Sequence, residues 1–179
     1  MRVFIAGPRK ISKLNKKVKE RLENIMSNDL EVFLGDANGI DKALQKYFSN
    51  NEYNKVKIYA VNGQARNNIG NWEVKDVKIN RKTKDFLYYT AKDKEMAKKA
   101  DYGFMIWNGK SKGTLNNIIN LAIMNKKIVI YFTPEKKFYK YNDLNGVKKI
   151  LNKCNNKTKE LFNDLMSNKD KMQMQMDFE

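Results

Sequence analysis

Three short glycine-bearing stretches hold the residues that could do chemistry: Gly7-Pro8-Arg9, Gly35-Asp36-Ala37-Asn38-Gly39 and Asn108-Gly109-Lys110-Ser111-Lys112-Gly113-Thr114. Each follows a short apolar run and leads into a more helical pattern. A strand, a glycine turn and a helix start put free backbone N–H groups and a positive dipole end at one spot, which suits phosphate or another anion. In the third stretch, the N–H groups of Gly113 and Thr114 and the hydroxyls of Ser111 and Thr114 suit phosphate oxygens, with Lys110 or Lys112 adding charge. Arg9 and Arg66 are suited to clamping a second anionic group bidentately. Asp36 suits ribose hydroxyls. For Asp36 and Asp41 the competing role is capping of a helix N-terminus. Trp107 reads as core.

Other chemistries are removed by composition. The chain has no histidine, so Ser-His-Asp and Cys-His catalysis and histidine-ligated metals are excluded. Gly109-Lys110-Ser111-Lys112-Gly113 matches the G-x-S-x-G nucleophile elbow between a strand and a helix. Without histidine the usual activation of the serine fails, and Ser111 is expected to bind rather than attack. A single cysteine, Cys154, rules out an internal disulfide and a cysteine zinc cluster and fits a reducing cytoplasm. No cofactor or metal is called for.

No segment approaches the roughly 20 apolar residues of a membrane span, and the N-terminal apolar run is too short for a signal peptide. A cytoplasmic protein without membrane contact is expected. The net charge of +16 invites weak nucleic-acid binding. Lysine is spread over nearly every expected helix and accompanied by asparagine, so most of this charge is read as solvated surface.

Stepping outward, these turns need elements to hold them. Apolar runs at residues 3–6, 31–34, 56–60, 103–107 and 128–132 read as five strands. Helical stripes fall on Leu14, Val18, Leu22, Ile25 and Met26, with Ser12 as N-cap, and on Ile40, Leu44, Tyr47 and Phe48. Others fall on Met96, Ala97 and Ala100, on Leu115, Ile118, Ile119, Ala122 and Ile123, and on residues 144–151. Residues 61–89 break the pattern, with Val74, Val77 and Ile79 suggesting a short hairpin or edge strand. The alternation predicts an α/β fold: a three-layer, Rossmann-like arrangement with a mainly parallel central sheet of about five strands, plus C-terminal helices. Residues 1–151 form the expected domain. Residues 152–179 read as a hinge, a short helix around Leu161, Phe162, Leu165 and Met166, and a tail left unstructured or packed on a second copy of the chain. In a parallel sheet the three turns share the carboxyl edge, where ligands bind in open α/β folds.

At these residues the chain resembles the SLOG superfamily of Rossmann-like proteins, which takes in the DNA-processing protein A, the LOG-type nucleotide phosphoribohydrolases and the YpsA-like proteins. The resemblance is carried by Phe4 through Arg9, by Gly35 through Asp41, by Arg66-Asn67 and by Met96 through Thr114, and is nearest to the small YpsA-like members. A weaker similarity to nucleoside deoxyribosyltransferases covers the N-terminus and residues 101–114. Membership implies a nucleotide or nucleotide-derived ligand, with Gly7, Pro8, Arg9, Gly35, Asp36, Ala37, Gly39, Arg66, Asn67, Asn108, Gly109, Ser111, Gly113, Thr114 and Asn117 about it. The enzyme branches place a glutamate three residues after the threonine; here that position is Asn117, an amide that cannot act as carboxylate base or nucleophile. Glu95, Asp36 or Asp101 are the acids left to supply a carboxylate.

The leading expectation is therefore binding of a nucleotide or ADP-ribose-like molecule, as a sensor or sequestering module. An enzyme acting at an N-glycosidic bond, phosphoribohydrolase or deoxyribosyltransferase-like, is the alternative. Single-stranded nucleic-acid binding is the third.

Overall fold

The computed structural model describes residues 1–80 and 83–177, the side chains only as far as residue 170. Its strands are β1 (Arg2–Ala6), β2 (Glu31–Gly35), β3 (Val56–Val61), β4 (Glu73–Val77), β5 (Tyr102–Trp107), β6 (Lys127–Phe132) and β7 (Lys137–Tyr141). The helices are α1 (Lys16–Ser27), α2 (Ile40–Asn50), α3 (Phe86–Lys99), α4 (Lys112–Ile123), α5 (Leu144–Leu151) and α6 (Asn156–Asp177). The sheet runs β4-β3-β2-β1-β5-β6-β7, all parallel except β7.

Both faces of the central strands are covered, which is why β5 is buried at every position. Helices α1 and α2 cover one face, where Val18, Leu22, Ile25, Ile40, Leu44 and Phe48 meet Val3, Ile5, Val32 and Phe104. Helices α3, α4, α5 and α6 cover the other, where Met96, Leu115, Ile118, Ile119, Val147 and Phe162 meet Phe4, Met105, Trp107 and Ile130. Each fully buried Leu, Ile or Phe contributes on the order of 1.5–3 kcal/mol. The expected three-layer α/β architecture is present.

The sheet has seven strands rather than about five. The chain continues past Pro134 through a turn closed by Lys136 N–H to the Thr133 carbonyl at 3.3 Å. It then returns antiparallel as Lys137-Phe138-Tyr139-Lys140-Tyr141, an edge strand with charge on its open side. β4 is the other edge, parallel to β3. Helix α1 is capped by Asn15, whose side chain accepts the Val18 N–H at 3.0 Å, in place of Ser12. Helix α3 begins at Phe86, nearly three turns before the expected apolar face at Met96, with Asp85 accepting the Tyr88 N–H at 3.0 Å. The last helix is long, not short, and its backbone continues through Asp177. Within the terminal 172–179 stretch, residues 178 and 179 and all side chains lie outside the described residues. Among the described residues no helix is long and apolar enough to cross a membrane.

Candidate functional site

The chain runs outward in opposite directions from β1 and β5, which pair side by side. That makes the carboxyl ends of β1 and β5 the topological switch point, where neighbouring crossovers diverge and leave a crevice. A cavity of about 630 Å³ occupies it. Of the residues singled out in the sequence, Gly7, Pro8, Arg9, Gly35, Ala37, Asn108, Ser111, Gly113, Thr114 and Asn117 line this cavity. Asp36 and Arg66 instead line a smaller one of about 200 Å³. Gly39, Asn67 and Gly109 line neither.

The turn before α4 is already braced from within. Asn108 Oδ1 accepts the N–H groups of Lys110 and Ser111, at 3.1 and 2.9 Å. Ser111 caps the helix by accepting from the Thr114 N–H and from the Thr114 hydroxyl, at 3.4 and 3.1 Å. The Thr114 N–H and the Ser111 hydroxyl are thus engaged with each other, and the part of the turn open to a ligand is Gly113. A Cβ added there would meet nothing within 4 Å. Behind the turn, Thr158 of α6 donates its hydroxyl to the Gly109 carbonyl at 2.6 Å.

The turn after β2 is held differently. Gly39 has φ +79° and packs so tightly that a Cβ would stand 2.2 Å from the Arg9 carbonyl oxygen, which fixes the second turn against the first. Asp41, in the first turn of α2, folds back so that Oδ2 accepts the Ala37 N–H at 3.2 Å; it caps the turn rather than the helix. Asp36 is taken up by Arg66, whose Nε and Nη2 donate to it at 2.9 and 2.7 Å and whose backbone N–H donates at 3.1 Å. Asn67 Nδ2 donates to the Asp36 carbonyl at 2.8 Å. Asp36 and Arg66 form a fixed bidentate pair in the wall, leaving Arg9 as the rim guanidinium. Trp107 is fully buried, as expected of core.

Between the turns lies a buried charge cluster supplied mainly by α3. Lys92, 5% exposed, donates to Asp93 Oδ1 at 2.8 Å and lies 3.8 Å from Asp36 Oδ1. A Cβ at Gly35 would stand 2.4 Å from Asp41 Oδ2 and 2.8 Å from Lys92 Nζ, so the glycine makes the space in which that carboxylate and that ammonium approach. Burial pushes the Asp41 carboxyl up to about 6, with the Asp93 and Asp36 charges adding to the rise and Lys92 opposing it. Burial also works against ionisation of Asp36, but the Arg66 hydrogen bond and the Lys92 charge outweigh it and hold that carboxyl below the usual range. For Lys92, burial is outweighed by the charges of Asp93 and Asp41, and its pKa is raised. Lys92 is a fixed internal cation.

The chain matches no known family model and no curated protein. The site therefore stands on its geometry.

That geometry also sorts the acids. Asp101 sits at the opposite, amino edge of the sheet, bound to Arg2, and Glu95 pairs with Lys99 on the outside of α3. Neither lines the cavity. Asp93 does, and the amide orientation that satisfies both neighbours points Asn117 Nδ2 at Asp93 Oδ2 and at the Gly113 carbonyl, each 3.3 Å away. Phe86 and Tyr89 fall within residues 61–89, where the sequence pattern is irregular, whereas Lys92 and Asp93 lie at the start of the expected helix and carry no motif that marks them. The signal was present as Asp85-Phe86-Leu87-Tyr88-Tyr89, an N-cap followed by aromatics.

Proposed function

We propose that this protein binds a nucleotide or nucleotide-derived, ADP-ribose-like ligand in the switch-point cavity, as a sensor or sequestering module. The observation that carries the reading is the cavity itself: three strand-to-helix turns converge on one space that is open above Gly113 at a helix N-terminus. Arg9, Lys10, Lys110 and Lys112 line the same space, a rim suited to phosphate, while Asp41 and Asp93 on its floor suit the hydroxyls of a sugar. The stretches that resemble the SLOG superfamily supply much of this lining, which supports the same reading. Calorimetric titration with a panel of nucleoside mono- and diphosphates and ADP-ribose tests it. Gly113→Ala, which places a methyl group in open space, is expected to weaken binding about tenfold, or roughly 1.4 kcal/mol, and Arg9→Ala to weaken it as well. Binding no tighter than millimolar, with both substitutions silent, refutes the proposal.

A second reading has one observation in its favour. The pocket holds a carboxylate, Asp93, beside the amide Asn117, which by the resemblance noted above stands where the enzyme branches of the SLOG superfamily place a glutamate. Asp93, beside Lys92, would accept the proton of a water attacking an anomeric carbon while the C–N bond breaks and the base departs with its electron pair. Chromatography of nucleoside 5′-monophosphates after incubation would show free base, and Asp93→Asn would abolish it. An inert panel removes this reading and leaves the first untouched.

A further inference from the structure

The first two turns of α3 turn two aromatic rings toward the cavity, and each carries a cation from across the mouth. Lys112 Nζ, from the start of α4, lies 4.4 Å from the centroid of the Phe86 ring. Arg9 Cζ, from the turn after β1, lies 5.4 Å from the centroid of Tyr89. Phe86 and Tyr89 are three residues apart and so neighbours on one helix surface. Both rings line the cavity, and so do Arg9 and Lys112. Neither Arg9 nor Lys112 makes an ion pair among the described residues.

The Tyr89 ring has two further neighbours that hold it in place. Arg66, fixed by its bidentate bond to Asp36, lies 5.3 Å from the same centroid, and the buried Tyr88 meets Tyr89 edge to face at 5.2 Å. A ring positioned inside a cavity, with a cation on it that makes no ion pair among the described residues, has the properties of a stacking platform. A cation on a ring face gains about 0.5–1 kcal/mol at an exposed site, whereas a stacked base is worth about 1–3 kcal/mol.

We propose that Phe86 and Tyr89 form the base-stacking platform of the cavity, so that its ligand must carry both a nucleobase and a phosphate. This rests on the nucleotide reading above. Binding is then an exchange. The heterocycle takes the ring face, and the released Arg9 and Lys112, already at the mouth, take the phosphate. A sugar phosphate without a base offers nothing to replace the cations on the rings. It leaves the aromatic surface unused and binds weakly.

The test compares adenosine 5′-monophosphate with ribose 5-phosphate by calorimetry on the full chain. The wild type is expected to bind the nucleotide about tenfold more tightly, the scale of one stacked base. Phe86→Leu and Tyr89→Leu should bring the nucleotide down to the affinity of the sugar phosphate while leaving the latter unchanged. Tyr89→Phe keeps the ring and should keep the preference. Should a leucine variant fold poorly by circular dichroism, the wild-type ratio and the Tyr89→Phe result still decide. Equal binding of the two ligands by the wild type, or a preference that survives both leucine substitutions, overturns the platform and leaves phosphate binding standing. If neither ligand binds, the nucleotide reading itself falls, and with it the platform.

Discussion

The two edges of the sheet use charge in opposite ways. At the amino edge, Asp101 accepts from the Arg2 backbone N–H at 2.7 Å and from its guanidinium at 2.9 Å, with both side chains largely in solvent. Nearby, Lys126 Nζ donates to the carbonyls of Ala97, Lys98 and Ala100, closing the end of α3. Those charges finish backbone ends and leave no space. At the carboxyl edge, Asp36, Asp41, Lys92 and Asp93 are largely withdrawn from water; Asp41, Lys92 and Asp93 border the open volume of about 630 Å³ and Asp36 the smaller one of about 200 Å³. Burying charge beside an empty space costs stability that an apolar core would not. Such an arrangement, with a carboxyl pushed up to about 6 next to one held low, is of the kind found at functional sites and supports the ligand-binding reading proposed above.

The contrast is sharpest at Lys92. Replacing it with Met leaves three carboxylates facing one another, and the expected loss is about 3–5 kcal/mol at pH 7, read from urea denaturation. At pH 5 the loss should shrink, because Asp41, already raised to about 6, takes up a proton and relieves the repulsion.

Asp41 gives a smaller effect of opposite sign. Its folded pKa lies above the unfolded value of 3.8, so the folded state binds the extra proton, and the stability this brings is present below pH 3.8 and lost as pH rises to about 6. Asp41→Asn keeps an acceptor for the Ala37 N–H and removes that loss. It should stabilise the protein by about 1–3 kcal/mol at pH 7 and flatten the stability profile between the two pKa values. A profile identical to wild type would show that Asp41 is not the buried acid described.

The smallest effect belongs to the amino edge. Asp101→Asn breaks an exposed pair, and the denaturation midpoint should stay near wild type with no new pH dependence at neutral pH. A loss comparable to that of Lys92→Met would erase the distinction between the two edges.

Parts of this arrangement are legible in single stretches of chain. The runs at β1, β2, β3, β5 and β6 are short and rich in β-branched or aromatic residues, and a strand buried on both faces needs no partner to look apolar. β7 is hidden because Lys137, Phe138, Tyr139, Lys140 and Tyr141 show no continuous apolar run and follow Pro134, which in sequence signals a stop. The start of α3 is hidden for a related reason. Phe86 and Tyr89 line the cavity, and the charged run Lys92 to Glu95 separates them in sequence from the core residues Met96 and Ala97.

The sequence by itself determined the layer architecture and the three turns, because hydrophobic periodicity and glycine placement are local and survive in one dimension. It also determined that no histidine chemistry operates. Only the tertiary structure decided which charges meet. Asp36 was drawn to Arg66, thirty positions away, and out of the main cavity, while Asp93 was brought beside Asn117 from a different helix. Pairing of charges across crossovers depends on strand order and helix rotation, and neither is written in the spacing of residues along the chain.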